Sequence, residues 1–122
     1  MTFQHRPGVA MECLSIPITV EKERAVDQQG NEVMRVGFSI AGGIDQDYTK
    51  SPQGYSDNGV YVTQMQPGGP AERSGLRLHD KILQCNGVDF TMVTHKKAVD
   101  YVKKWNTLSL LVGRAGVTEQ LS

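Results

Sequence analysis

The sequence predicts a mainly β domain with two helices, built as a partly open β-barrel or sandwich of five to six strands. Three observations lead there. Apolar or β-branched runs of strand length recur along the chain, only two segments carry helix signals, and neither a regular βαβ alternation nor an internal repeat connects them. At 122 residues the chain fits one domain large enough to bury a core without disulfides or metal.

The elements follow in order. Residues 14–20 alternate apolar with polar or small side chains, the period of a strand with one buried face, and Pro17 assigns that strand to a sheet edge. A charged, glycine-containing stretch runs through Asn31. Residues 36–40 then read as a second strand, ended by Gly42-Gly43, and residues 45–58 as a polar loop with Pro52 and Gly54. Residues 60–65 are β-branched and aromatic and stop at Pro67-Gly68-Gly69-Pro70, which marks a third strand. Pro70 before and Gly75 after frame residues 71–74 as one helical turn. Asn86-Gly87 between residues 80–85 and 88–90 is a hairpin signal of the type I′ kind. Thr94 can cap a helix from His95 to about Lys104, with Ala98, Val99, Val102 and Trp105 at helical spacing, and residues 107–112 close the domain as a strand.

Four segments together resemble the PDZ family over nearly all of residues 14–114. Val36-Gly37-Phe38 is similar to the family's Gly-Leu-Gly-Phe carboxylate loop, with Arg35 in place of the first Gly and Val36 in place of Leu. Gly68-Gly69-Pro70-Ala71 with Ser74-Gly75-Leu76 resembles its short helix, Asp80 to Gly87 its hairpin, and His95 the start of its second helix. Gly42-Gly43-Ile44-Asp45-Gln46-Asp47 and Met92-Val93-Thr94-His95 point more narrowly to a stand-alone, single-domain member. On this reading residues 13–114 are the PDZ domain, flanked by flexible tails at 1–12 and 115–122.

The resemblance implies a module that binds free C-termini of partner proteins by strand addition. A free carboxylate is well held by backbone N–H groups converging in a concave turn, here Val36, Gly37 and Phe38, with Gly37 allowing close approach of the ligand. Ser39, Ile40 and Ala41 would offer the strand edge on which an extended peptide pairs. The family pattern places Val36, Phe38, Ile40 and Val102 around a pocket for a terminal Val, Leu or Ile, while His95 and Val99 face the same groove at i and i+4. A neutral His95 can accept from a hydroxyl, the class I pattern of Ser or Thr at the third residue from the ligand's end, and protonation would remove that acceptor. Asp45 and Gln46 are candidates for contacts to ligand residues further upstream, within a loop that also carries Tyr48 and Tyr55.

By the same resemblance the partners are C-terminal peptides of receptors, channels, signalling and metabolic proteins, β-catenin, rhotekin and glutaminase among them. A lone groove cannot bridge two ligands, so a monomer that competes with multi-PDZ scaffolds is expected. Thirteen Lys and Arg balance thirteen Asp and Glu, which provides no global field for nucleic acid or an anionic membrane. No stretch reaches the roughly 18 apolar residues of a membrane span, and no signal peptide opens the chain, so the cytoplasm is the expected compartment, with the nucleus or recruitment to membranes by partners also open.

Competing chemistries are weaker. Gly37 and Gly42 have the spacing of a nucleotide phosphate loop, but Gly43-Ile44 stands where Lys followed by Ser or Thr is required. Cys85 with His79 or His95 is the only nucleophile pairing to weigh, and an apolar strand is the usual setting of an inert thiol. Cys13 and Cys85 form no CxxC motif, and His5, His79 and His95 have no zinc-ligand spacing with them, so neither cofactor nor metal nor catalysis is expected.

Overall fold

Ile16, Ile18 and Val20 stand opposite Val112, Leu110 and Leu108, and this matched alternation zips strand β1 (Leu14–Glu21) to the last strand, β8 (Thr107–Arg114), in antiparallel register. The computed structural model describes residues 14–50, 54–55 and 57–114. The expected tails and Cys13 lie outside the described residues. Between β1 and β8 the chain forms β2 (Glu23–Val26), β3 (Glu32–Arg35), β4 (Phe38–Gly42), β5 (Val60–Met65), helix α1 (Pro70–Arg73), β6 (Lys81–Cys85), β7 (Val88–Asp89) and helix α2 (His95–Lys104).

The main sheet has six strands in the order β1, β8, β6, β5, β4, with β7 pairing β6, and its adjacent strands are antiparallel. It does not close into a barrel. β1 is an edge strand, as Pro17 indicates, and β4 is the opposite edge. The core lies under the sheet and both helices: Val20, Val60, Val62, Ile82, Phe90, Leu108 and Val112 are fully buried together with Ala71 of α1 and Ala98 of α2. The predicted hairpin turn is present, with positive φ at Asn86 (50°) and Gly87 (83°), and the Asn86 N–H is tied to the Ser109 carbonyl of β8 at 2.8 Å. Thr94 caps α2, its hydroxyl accepting from the Lys97 N–H.

The structure departs from the sequence expectations in two places. Val36 and Gly37 precede the second long strand rather than belonging to it: Gly37 has φ +87°, outside the strand region, so pairing with β5 begins at Phe38. The charged stretch through Asn31, read without an element of its own, carries β2, which pairs with β3 in a separate two-stranded hairpin. Its turn is held by the Asp27 carboxylate, which accepts from the Gln29 and Asn31 N–H groups at 2.9 Å each. With Val26, Val33 and Met34 all exposed, the hairpin has no buried face and hence no period-2 pattern to read.

Among the described residues Asp80, 2% exposed, is the buried charged side chain. Arg114 grips it with two bonds, Nε to Oδ1 at 2.8 Å and Nη2 to Oδ2 at 2.6 Å, and Nη2 also donates to the Gly75 carbonyl at 3.1 Å. The Arg77 N–H adds a third donor to the carboxylate at 3.0 Å. This pair ties the last residue of β8 to the turn after α1 and the start of β6. Replacing Arg114 with Ala leaves the carboxylate buried against one N–H. The expected loss is ~3 kcal/mol, toward the lower end for a broken buried pair because the arginine is partly solvated, measured by urea unfolding at neutral pH; a loss under ~1 kcal/mol would show that the pair is dispensable.

Candidate functional site

β4 pairs on one side with β5, and beside its other edge stands α2. The two are fastened at one end. The Ile44 N–H donates to the Val93 carbonyl at 2.8 Å, and one Asp45 carboxylate oxygen accepts from the His95 N–H at 2.9 Å. The His95 ring adds a third tie, Nδ1 to the Gly42 carbonyl at 2.9 Å. A carbonyl can only accept, so Nδ1 carries the ring proton, and Nε2 of the neutral imidazole is left as an acceptor. Gly43 is what allows this closeness: a Cβ there would lie 2.4 Å from the His95 nitrogen, with φ at +131°. The hydrogen bond from His95 leads the causes that hold the Asp45 carboxyl below its ordinary 3.8.

Toward the other end β4 and α2 enclose a pocket of about 280 Å³ lined by Val36, Phe38, Ser39, Ile40, Val99, Val102 and Lys103. Val36, Phe38 and Ile40 pack against the core as well, and Val102 is 8% exposed, so these side chains serve both core and pocket wall. The geometry brings together the expected pocket residues and adds one that sequence reasoning missed. Lys103 lies one turn beyond Val99 on the row His95, Val99, Lys103, and this i+4 step is the signal that points to it.

Gly37 has a packing reason that the sequence does not display. An added Cβ would meet Pro70 Cδ at 3.1 Å and the Pro70 nitrogen at 3.3 Å, so the missing side chain makes room for the start of α1. Its φ of +87° suits glycine. The Gly37 carbonyl accepts from the Gln66 N–H at 2.9 Å, which pins the loop to the end of β5.

The expected upstream contacts separate. Asp45 is turned to α2 as described. Gln46 lines a second cavity of about 350 Å³ at the far end of β4, together with Ala41, Gly42, Tyr48, Tyr55 and Asn58. Tyr55 is stacked on Tyr61 with ring centres 4.1 Å apart, and its hydroxyl meets His79 Nδ1 at 2.8 Å, so the end of the 45–58 loop is docked on the sheet. Within that loop residues Tyr48–Lys50 form a 3₁₀ turn.

The competing chemistries do not assemble. Gly37 and Gly42 flank and end a β-strand instead of forming a loop ahead of a helix, the arrangement a phosphate cradle requires. Cys85 is fully buried and burial pushes its thiol up to about 11, with Lys22 opposing that rise. The two histidines weighed as its partners have Nδ1 engaged elsewhere, on Gly42 and on Tyr55. Among the described residues no three His, Cys, Asp or Glu side chains gather as a metal site, and no helix is long and apolar enough to cross a membrane. In a Cys13→Ser background the Cys85 thiol should resist a thiol reagent at pH 8 and react once urea unfolds the chain; prompt labelling of the folded protein would contradict its burial.

The chain is similar to known proteins in sequence and in fold. It is 53% identical over 113 residues to the Tax1-binding protein 3 homolog of Caenorhabditis elegans, covering 93% of this chain and 91% of that protein. It is 45% identical over 94 residues to Tax1-binding protein 3 of Homo sapiens, covering 75% and 72%. The crystal structure of wild-type TIP-1 superposes with a TM-score of 0.73 at 42% identity, covering 84% of this chain and 89% of the other. The PDZ domain model matches residues 25–113, and with a six-stranded open sheet and two helices around the β4–α2 groove, the chain belongs to the PDZ domain family of protein-interaction modules.

Proposed function

We propose that the chain binds free C-termini of class I, with Ser or Thr at the third residue from the end and an apolar last residue, by adding the ligand as a strand to the outer edge of β4. The observation that carries this reading is the edge itself: β4 ends the sheet, and beside it lie an apolar pocket at the Val36–Phe38 end and the His95 ring at the other. Backbone bonding along residues 38–41 supplies register and most of the affinity. The Val36, Gly37 and Phe38 N–H groups receive the carboxylate. The His95 Nδ1–H bond to Gly42 favours the tautomer in which Nε2 accepts from a ligand hydroxyl.

A groove of this kind takes the same C-termini as the grooves of multi-domain scaffolds, so its expected effect in the cell is to compete with them for those ligands. The relatives named for binding Tax1 support a protein partner. Partner C-termini from cytoplasmic signalling, channel or metabolic proteins fit the same recognition. Affinity in the micromolar range, about −8 kcal/mol, suits so small a contact.

Calorimetric titration with peptides ending Thr-X-Val and Ala-X-Val, each as free acid and as amide, tests both halves. The free acid with Thr should bind best, and amidation should cost at least tenfold. His95→Ala should remove the preference for Thr over Ala, a coupling of ~1 kcal/mol, while leaving discrimination against the amide in place. Equal binding of acid and amide would contradict strand addition at a carboxylate loop, and an unchanged Thr preference in His95→Ala would contradict the role of the imidazole.

A further inference from the structure

We propose that Lys103 is a specificity-determining residue of the groove: its stem completes the wall of the pocket between β4 and α2, and its ammonium selects a ligand whose last residue ends in a charged carboxylate. The inference rests on the C-terminus-binding reading above and deepens it. Lys103 lines the apolar pocket with Val99 and Val102, yet the residue is exposed. A lysine in that position lays its methylenes along apolar surface and keeps the charged head in water, at the mouth.

The charges around it identify this cation rather than another. α2 carries Lys96, Lys97, Lys103 and Lys104 against a single acid, Asp100, which is bound by Lys96 at 2.9 Å and attracts Lys97 and Lys103 only through space. Lys104 lies over the Trp105 ring, 5.1 Å from its centre. Lys22, near the same helix end, is committed to the Val102 carbonyl at 2.6 Å. Arg35, adjoining the Val36–Phe38 loop, is held by Glu23 at 2.5 and 3.1 Å, and Glu23 also binds Arg73 at 3.1 Å. Hydrogen bonds from Arg35 and then Arg73 keep the Glu23 carboxyl below its ordinary range, so it stays ionised and offsets the arginine beside the loop. Among the described residues Lys103 makes no hydrogen bond or ion pair, and it is the cation that lines the pocket.

A loop of backbone N–H groups offers a carboxylate donors without a full countercharge. An ammonium without a direct ion-pair partner, within a Debye length, supplies the missing attraction, acts on the free acid and not on an amide, and fades with salt. A lysine near a helix C-terminus also complements the helix dipole. That structural role changes stability without distinguishing acid from amide.

The full chain and its Lys103→Met, Lys103→Arg and Lys103→Glu variants are titrated with free-acid and amidated Thr-X-Val peptides at low ionic strength and at ~1 M salt, where screening confines charge effects to ~3 Å. Lys103→Met keeps the length of the stem and removes the charge. It should weaken free-acid binding about two- to fivefold at low salt, the effect of a solvated charge pair, leave amide binding unchanged, and match the wild type at high salt. Lys103→Arg should restore the loss, and Lys103→Glu should exceed it. An unchanged free-acid affinity and salt slope in Lys103→Met would overturn the proposal, as would equal weakening of acid and amide. Equal binding of acid and amide by the wild type would instead overturn the groove reading itself, and this inference with it.

Discussion

The organising constraint is that β4 has a strand on one side only. An unpaired edge presents a row of backbone donors and acceptors that can join another chain, and folds ordinarily cover or disrupt such edges. Here α2 stands alongside without pairing, because a helix offers side chains where a strand would offer N–H and C=O groups. The gap is fastened at one end by the contacts of Ile44, Asp45 and His95 around Gly43, and floored along its length by side chains that belong to the core. An edge held open in this way leaves backbone groups for the extended segment that the proposed function adds there.

The two ends of the groove differ in chemistry. At the Val36–Phe38 end lie the pinned loop and the apolar pocket, where the proposed function seats a chain terminus. At the His95 end, the imidazole is oriented by a backbone carbonyl, and the Asp45 carboxylate fixes the helix start that carries it. Structural bonds therefore set the tautomer and position of the group proposed to choose among ligands. The buried Asp80–Arg114 pair works at a distance, holding the end of β8 to the turn after α1, the helix against which Gly37 packs.

Much of this was legible in the sequence where one physical cause dominates. Alternating Ile16, Ile18 and Val20 announced β1, Asn86-Gly87 its tight turn, Thr94 the helix it caps, and Pro17 an edge strand. What was not legible depended on partners distant in sequence. The β2–β3 hairpin is held by the Glu23–Arg35 pair and an aspartate turn rather than by a buried face, so no period marks it. The closeness of Gly37 to Pro70, thirty-three residues on, could not be seen from the loop alone. The commitment of Asp45 to His95 likewise exists only once β4 and α2 are side by side. Lys103 is hidden for a different reason: the groove side of α2 is marked in the sequence by the apolar Val99 and Val102, and a lysine beside them carries no such mark.

The central claim is that the outer edge of β4 is where a ligand chain adds. Amide shift mapping of the isotope-labelled protein during titration with a free-acid Thr-X-Val peptide tests it most directly. The account predicts the largest perturbations at the amides of residues 36–41 and along the His95, Val99 and Val102 side of α2. Perturbations centred on β1, or on the β2–β3 hairpin, with β4 unchanged would contradict it.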